Sequence, residues 1–179
     1  MGDTWKIISP DLTTNDKSKQ TQAESGGLSM DNSGAENHTT IFTIAESPID
    51  ENVIWVGTDD GNVQLTTDGG KSWKNLTSNI NSVPDNTWVY HIEPSVHDVG
   101  TAYVVFDGHT TGDMNPYALK TDDFGMNWKN IIPSNDVYGF TRSIQEDYEN
   151  PDLLFLGTEF GLSLIHISEP TRPLTSAYA

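Results

Sequence analysis

The apolar residues of this chain fall in short runs of four or five, separated by Gly, Asn, Asp, Ser, Thr and Pro, and do not recur at helical spacing. That punctuation predicts many short strands joined by turns. Val53-Ile54-Trp55-Val56, Ala102-Tyr103-Val104-Val105-Phe106 and Leu153-Leu154-Phe155-Leu156 are continuous runs rich in β-branched and aromatic residues. A strand reads this way when both of its faces are covered, as in sheets stacked face to face. Each run stops at a turn signal: Gly57-Thr58-Asp59-Asp60-Gly61, Asp107-Gly108-His109 and Gly157-Thr158-Glu159-Phe160-Gly161. The first and third are one phrase, G-T-acid-x-G, repeated 100 residues apart, with the second near the midpoint. A repeat of about 50 residues follows, which is the period of propellers and solenoids.

A second phrase carries the same period. Thr66-Thr67-Asp68-Gly69-Gly70-Lys71-Ser72-Trp73 reads T-x-D-x-G-x-S-W, and Thr121-Asp122-Asp123-Phe124-Gly125-Met126-Asn127-Trp128 reads T-x-D-x-G-x-N-W. The two aspartates lie 55 residues apart, and Gly2-Asp3-Thr4-Trp5 matches the second half of the same phrase. These phrases resemble the Asp box, or bacterial neuraminidase repeat, of sialidases, xyloglucanases and the sortilin ectodomain. The resemblance implies a hairpin turn between the third and fourth strands of a propeller blade. In such a turn the Asp accepts hydrogen bonds from turn amides, the Gly supplies a positive φ, and the Trp packs between blades. Thr66, Asp68, Gly70, Trp73, Thr121, Asp123, Gly125 and Trp128 are therefore expected to be structural. Over about residues 1–161 the wording is also similar to bacterial proteins labelled sortilin-like.

The expected fold is all-β, a partial β-propeller of two near-complete four-stranded blades plus parts of two flanking blades. Residues 1–9 would end a preceding blade, with a strand near 5–9, and 10–39 would be a polar loop between blades. One blade would occupy 40–77, with strands near 40–45, 53–57, 62–66 and 73–76. A second would occupy 88–132, with a longer loop at 107–116, and a third would begin at 139–161 and reach its second strand. From Leu162 to Arg172 the sequence resembles the translation of a transposase sequencing adapter, an artefact met in metagenomic assemblies. Residues 162–179 are accordingly expected to be an artefactual tail and are left out of site reasoning. Blades bury their apolar faces on their neighbours, so a segment with two uncovered faces is expected to be marginally stable and to associate.

Charge narrows the partners. With 9 Lys plus Arg against 26 Asp plus Glu, the net charge is −17. Such a surface repels phosphate backbones and anionic membranes, so nucleic acid is not an expected partner, and no apolar run is long enough to insert in a membrane. The absence of cysteine removes disulfides, thiol nucleophiles and Cys-based zinc sites. The family resemblance, not a leader segment, implies a secreted, periplasmic or cell-surface location.

The face opposite the T-x-D-x-G turns collects the candidate chemistry. Its candidates are Glu36, His38, Asp59, Asp60, Trp88, Asp107, His109, Asp113 and Glu159, with Asn37, Thr58, Asn86, Thr110, Tyr138 and Thr158 around them. A binding reading takes this face as a docking surface for a protein, peptide or carbohydrate ligand. The sortilin resemblance favours it, with the remaining blades of a larger ring as the other partner. A glycosidase reading takes two of the carboxylates as acid and base, or acid and nucleophile, with aromatics stacking on sugar rings. A sialidase would grip its substrate's carboxylate with several arginines, whereas only Arg142 precedes the tail. No cofactor is expected. Asp59, Asp60 and Glu159 are hard oxygen donors of the kind Ca²⁺ takes, but no EF-hand loop or H-E-x-x-H motif accompanies them.

Overall fold

Each of the three apolar runs forms the second strand of an antiparallel sheet. The computed structural model describes residues 4–20, 38–132 and 137–167. The first sheet has strands β1 (Ile41–Glu46), β2 (Ile54–Thr58), β3 (Val63–Thr66) and β4 (Lys74–Asn75), hydrogen-bonded in that order. The second repeats the pattern with β5 (Trp88–Pro94), β6 (Ala102–Asp107), β7 (Tyr117–Thr121) and β8 (Lys129–Asn130). The third has β9 (Thr141–Glu146), β10 (Leu153–Thr158) and β11 (Gly161–His166), again as an antiparallel meander. These are three blades of a partial β-propeller, stacked face to face through two apolar cores.

The middle strand of the second blade shows why its sequence has no polar alternation. Ala102, Val104 and Phe106 face a core shared with Val53, Trp55, Val63 and Leu65 of the first blade. Tyr103 and Val105 face the other way, into a core shared with Ile144, Leu154, Leu156 and Ile165 of the third. Every residue of β6 is therefore buried. At roughly 25 cal/mol per Å² of apolar surface, side chains covered on both faces of a strand dominate the stabilisation of such a stack.

The third blade continues past Gly161. β11 pairs with β10 over its whole length, from Gly161 against Thr158 to His166 against Leu153. Ile165 is buried in the core while Leu162 and Leu164 stay exposed, and such alternation is sufficient to make a strand. Residues 168–179 lie outside the described part. At the other end, residues 4–9 form no sheet ladder. Beyond them the chain runs across the first blade, where Leu12 is buried and its carbonyl accepts from Gln64 Nε2 at 2.9 Å and Asn62 Nδ2 at 3.2 Å.

The two T-x-D-x-G turns are superimposable in their bonding. Asp68 Oδ1 accepts from the Ser72 amide at 2.9 Å and from Thr66 Oγ1 at 2.8 Å, while Oδ2 accepts from Ser72 Oγ at 2.6 Å. Asp123 does the same with Asn127 N at 2.9 Å, Thr121 Oγ1 at 2.9 Å and Asn127 Nδ2 at 2.6 Å. Hydrogen bonds to the charged form, led by the Ser72 side chain, hold Asp68 down to about 2, and those led by Asn127 lower Asp123. Gly70 and Gly125, at φ 85° and 77°, donate to Thr66 Oγ1 and Thr121 Oγ1 at 2.9 Å. Each glycine also touches a residue earlier in the chain: Gly70 meets Ile8 of the N-terminal segment, and Gly125 meets Leu76, just past β4. A Cβ on Gly70 would stand 2.6 Å from the Ile8 carbonyl oxygen, and one on Gly125 would collide with the Leu76 side chain. Ile8 thus occupies toward the first blade the place that Leu76 occupies toward the second. Trp73 Nε1 donates to the Ile8 carbonyl at 2.8 Å, and Trp128 lies edge-on to Trp55 of the first blade at 6.1 Å.

Candidate functional site

The innermost strands β1, β5 and β9 share one irregularity. Their registers slip by one residue against the second strand of each blade, leaving Phe42, Tyr90 and Arg142 without a ladder partner. A bulge of this kind turns the extra side chain out of the pleat. The three bulged side chains consequently meet across blades. The Phe42 and Tyr90 rings are 5.1 Å apart, and the Arg142 guanidinium lies 5.1 Å over Tyr90. Trp88 adds a ring 5.4 Å from Phe42, and the Arg142 guanidinium also lies 4.8 Å over the Phe140 ring. The result is an aromatic strip, interrupted by one cation, along the lip of the inner strands.

The same register makes Asp59, Asp107 and Glu159 equivalent: each follows the second-strand residue, Thr58, Phe106 or Thr158, that pairs with Ile41, Val89 or Thr141 just before the bulge. Their surroundings differ. Asp59 is buried and its Oδ1 accepts from the Thr39 and Thr40 amides at 3.0 and 2.6 Å, holding Thr39 at φ 81°. Asp107 is fully enclosed, with Oδ1 2.7 Å from His109 Nδ1 and Oδ2 3.0 Å from Arg142 Nε. His109 stacks on Phe140 at 4.8 Å, so Asp107, His109 and Arg142 form one unit across the second and third blades. Glu159 is exposed, and only its backbone amide is engaged, with the Phe140 carbonyl at 3.1 Å.

The other expected residues take supporting places. Asp60 is buried and accepts from the Thr14 amide and hydroxyl at 2.6 Å, and from Thr58 Oγ1, so it ties the N-terminal segment to the first blade. It borders a cleft of ≈ 260 Å³ that also contacts Asn62, Asn86, Thr87 and Phe106. Asp113 accepts from the Tyr117 hydroxyl at 2.7 Å and the Asn115 amide at 3.0 Å, which lowers its pKa. Burial, then Asp113, pushes the Tyr117 phenol up to about 12. His38 Nε2 is buried and has no hydrogen-bond partner among the described residues. Glu36 and Asn37 lie outside the described residues. The structure thus gathers Trp88, Asp107 and His109 at the strip, places Glu159 at its end, and leaves Asp59, Asp60 and His38 on the first-blade side.

Sequence reasoning missed Phe42, Tyr90 and Phe140 as lip residues. A signal exists in T-I-F-T-I, W-V-Y-H-I and F-T-R-S-I, where Ile44, Ile92 and Ile144 align and the bulge position reads Phe, Tyr, Arg. It missed Glu146 as well. This carboxylate of β9 is buried and accepts from Ser95 Oγ at 2.7 Å, the Val96 amide at 2.8 Å and the Tyr103 hydroxyl at 2.8 Å. Burial, followed by the hydrogen bond to Glu146, raises the Tyr103 phenol. Nearby, burial raises Glu93, which accepts from Gln145 Nε2, and lowers His91. Among the described residues no group of three or more metal-ligating side chains comes together.

No family model matches the chain. No curated protein matches it in sequence. Solved structures do match in fold. An ancestral GH74 enzyme superposes with a TM-score of 0.55 at 16% identity, over 72% of this chain and 17% of that one. YCF48 from Cyanidioschyzon merolae gives 0.53 at 22% identity, over 73% and 35%. YCF48 bound to D1 peptide gives 0.54 at 18% identity, over 74% and 38%. The chain therefore spans well under half the length of each of these proteins.

Proposed function

We propose that the chain is a segment of a larger sortilin-like Asp-box propeller whose axial lip binds a protein, peptide or glycan without transforming it. The observation that supports this reading is the commitment of the lip's carboxylates. Asp59, Asp60 and Asp113 each accept from backbone amides, and Asp107 is neutralised by Arg142. An acid–base pair needs one carboxyl kept protonated near neutral pH and a second free to act. Asp113, by contrast, is lowered, and Glu159 alone of the equivalent acids is open. What remains accessible is a strip of aromatic rings and a guanidinium, the residue types that carry most binding energy at interfaces. YCF48 bound to D1 peptide is a neighbour in fold that takes a peptide, which favours a peptide or protein over a glycan. A secreted or cell-surface setting goes with this reading, and no cofactor is needed for it.

The second reading is a glycoside hydrolase acting on a polysaccharide, favoured by the fold shared with a GH74 enzyme. Assaying release of reducing ends from xyloglucan and other polysaccharides separates the two. The binding reading expects no turnover; turnover that Glu159→Gln abolishes while binding persists would replace it with the hydrolase.

A further inference from the structure

The lip carries its own example of what it recognises. The Arg142 guanidinium lies over the rings of both Tyr90 and Phe140, at 5.1 and 4.8 Å, and pairs with the enclosed Asp107 carboxylate. Ring faces attract cations through their quadrupole, and the attraction grows as water is excluded. Within the strip Phe42 remains 42% exposed, and Trp88 and Tyr90 are half-buried, so part of their surface is open to a partner.

Charge selects that partner. At the Trp88 end the turn before β5 carries Asp85, which is exposed, and at the Phe140 end stands exposed Glu159. Neither carboxylate has a hydrogen bond or ion pair among the described residues. The cations nearby are engaged: Arg142 with Asp107, and Lys19 Nζ with Asn86 Oδ1 at 2.8 Å. The chain as a whole has 26 acidic residues against 9 basic ones, so its field draws in positive charge. An aromatic strip with a free carboxylate at each end is complementary to a segment that carries cations on either side of an apolar centre.

We propose that this strip is a docking site for a basic peptide segment of a partner protein, with apolar side chains on Phe42, Trp88 and Tyr90 and flanking Arg or Lys side chains at Asp85 and Glu159. This rests on the binding reading above and adds the sign of the ligand's charge. Because the bulge position changes from Phe to Tyr to Arg while Ile44, Ile92 and Ile144 stay constant, the bulged residues are the specificity-determining positions of the lip.

The test uses the full chain and three short amidated peptides of one apolar core, flanked by arginine, by citrulline or by glutamate, with affinity measured by calorimetry at two salt concentrations. The arginine peptide is expected to bind about tenfold more tightly than the citrulline peptide, and the glutamate peptide more weakly still. Tyr90→Leu, and separately the charge pair Asp85→Asn with Glu159→Gln, should each remove most of that advantage. Tyr90→Phe, which keeps the ring, should retain it and serves as the check on folding. Equal binding of all three peptides, weakened by Tyr90→Leu, would overturn the charge selection and leave the lip as a binding site. Binding of the arginine peptide that no variant changes would mean diffuse electrostatics and overturn the site. No binding of any peptide would sink both this inference and the peptide form of the binding reading.

Discussion

Glu146 of the third blade is held by three donors of the second, and its removal gives a measurable prediction. The side chain is 1% exposed and accepts from Ser95 Oγ, the Val96 amide and the Tyr103 hydroxyl, all on the neighbouring blade. Glu146→Ala strands three buried donors. Stranding a buried polar group costs about 1–3 kcal/mol, so with three donors left without their acceptor the loss should be about 4 kcal/mol. Glu146→Gln keeps one acceptor oxygen but turns an NH₂ toward donors, and should cost about 2–3 kcal/mol. Tyr103→Phe removes one donor and leaves the carboxylate its other partners, at about 1.5–2 kcal/mol. Urea unfolding followed by tryptophan fluorescence gives the values, and in a chain of this size about 4 kcal/mol lowers the thermal midpoint by roughly 10 °C. In the Glu146→Ala, Tyr103→Phe double variant the hydroxyl is no longer stranded, so the cost should fall short of the sum by about 1–2 kcal/mol. Strict additivity, or Tyr103→Phe costing as much as Glu146→Ala, would refute the staple.

Four further outcomes follow from the same geometry. Gly125→Ala should cost about 3 kcal/mol, because positive φ is combined with a collision against buried Leu76, whereas Gly69→Ala, at φ 68° with its nearest contact 3.3 Å away, should cost only about 1 kcal/mol; chemical denaturation of the two variants compares them. Asp68 and Asp123 have lowered folded-state values, so their contribution is present above the unfolded carboxylate range and is lost as pH falls toward 2; Asp68→Asn should flatten the acid limb of the stability curve. Glu93 has the opposite sign: raised in the folded state, it favours folding below its ordinary range and ceases to as pH rises, so Glu93→Gln should raise the thermal midpoint at pH 7 and leave it unchanged near pH 4. Arg142→Met leaves Asp107 enclosed with the His109 ring as its remaining side-chain partner and, discounted for a guanidinium 44% exposed, should cost about 2 kcal/mol in the same unfolding assay.

Much of the fold was legible because it rests on features with short range. The unbroken run from Ala102 to Phe106 announces a strand covered on both faces, and β6 is such a strand. Turns are local as well, so T-x-D-x-G-x-S/N-W could be read at Asp68 and Asp123 without tertiary information. Elements that depend on partners were harder. Residues 5–9 look like a strand, but a ladder needs a neighbour, and the described residues offer them none. The stretch from Leu162 to His166 was set aside for its resemblance to an adapter, yet in the structure it pairs with β10. At the lip, composition suggested the acids, while the open surface is aromatic. The reason is that a one-residue bulge, which shows only when the three inner strands are aligned on Ile44, Ile92 and Ile144, decides that Phe42, Tyr90 and Arg142 turn outward together.

The two seams between blades share a frame but not a chemistry, and the difference can be tested by transplanting one into the other. By register, Trp55 stands in the first blade where Tyr103 stands in the second, since they pair with Ala45 and Glu93. Ser47 and Ser95 are likewise equivalent, each donating its amide to the residue before the second strand's ladder. Pro94 then stands where Glu146 stands, so the first seam has no carboxylate to receive a donor, and Trp55 Nε1 is buried without a hydrogen-bond partner. Its compensation is apolar: Trp55 is fully buried, edge-on to Trp128. Pro94→Glu alone should destabilise, because the new charge meets an indole and, in place of the Val96 amide, Pro48, which has no N–H to donate. Adding Trp55→Tyr supplies a hydroxyl to that carboxylate and should recover about 1–2 kcal/mol relative to the sum of the single changes. Recovery should be partial, because Pro48 cannot supply the backbone donor that the Val96 amide gives Glu146 in the second seam. If the two changes simply add, Tyr103 and Glu146 are not a transferable pair, and the polarity of the second seam depends on contacts beyond this register.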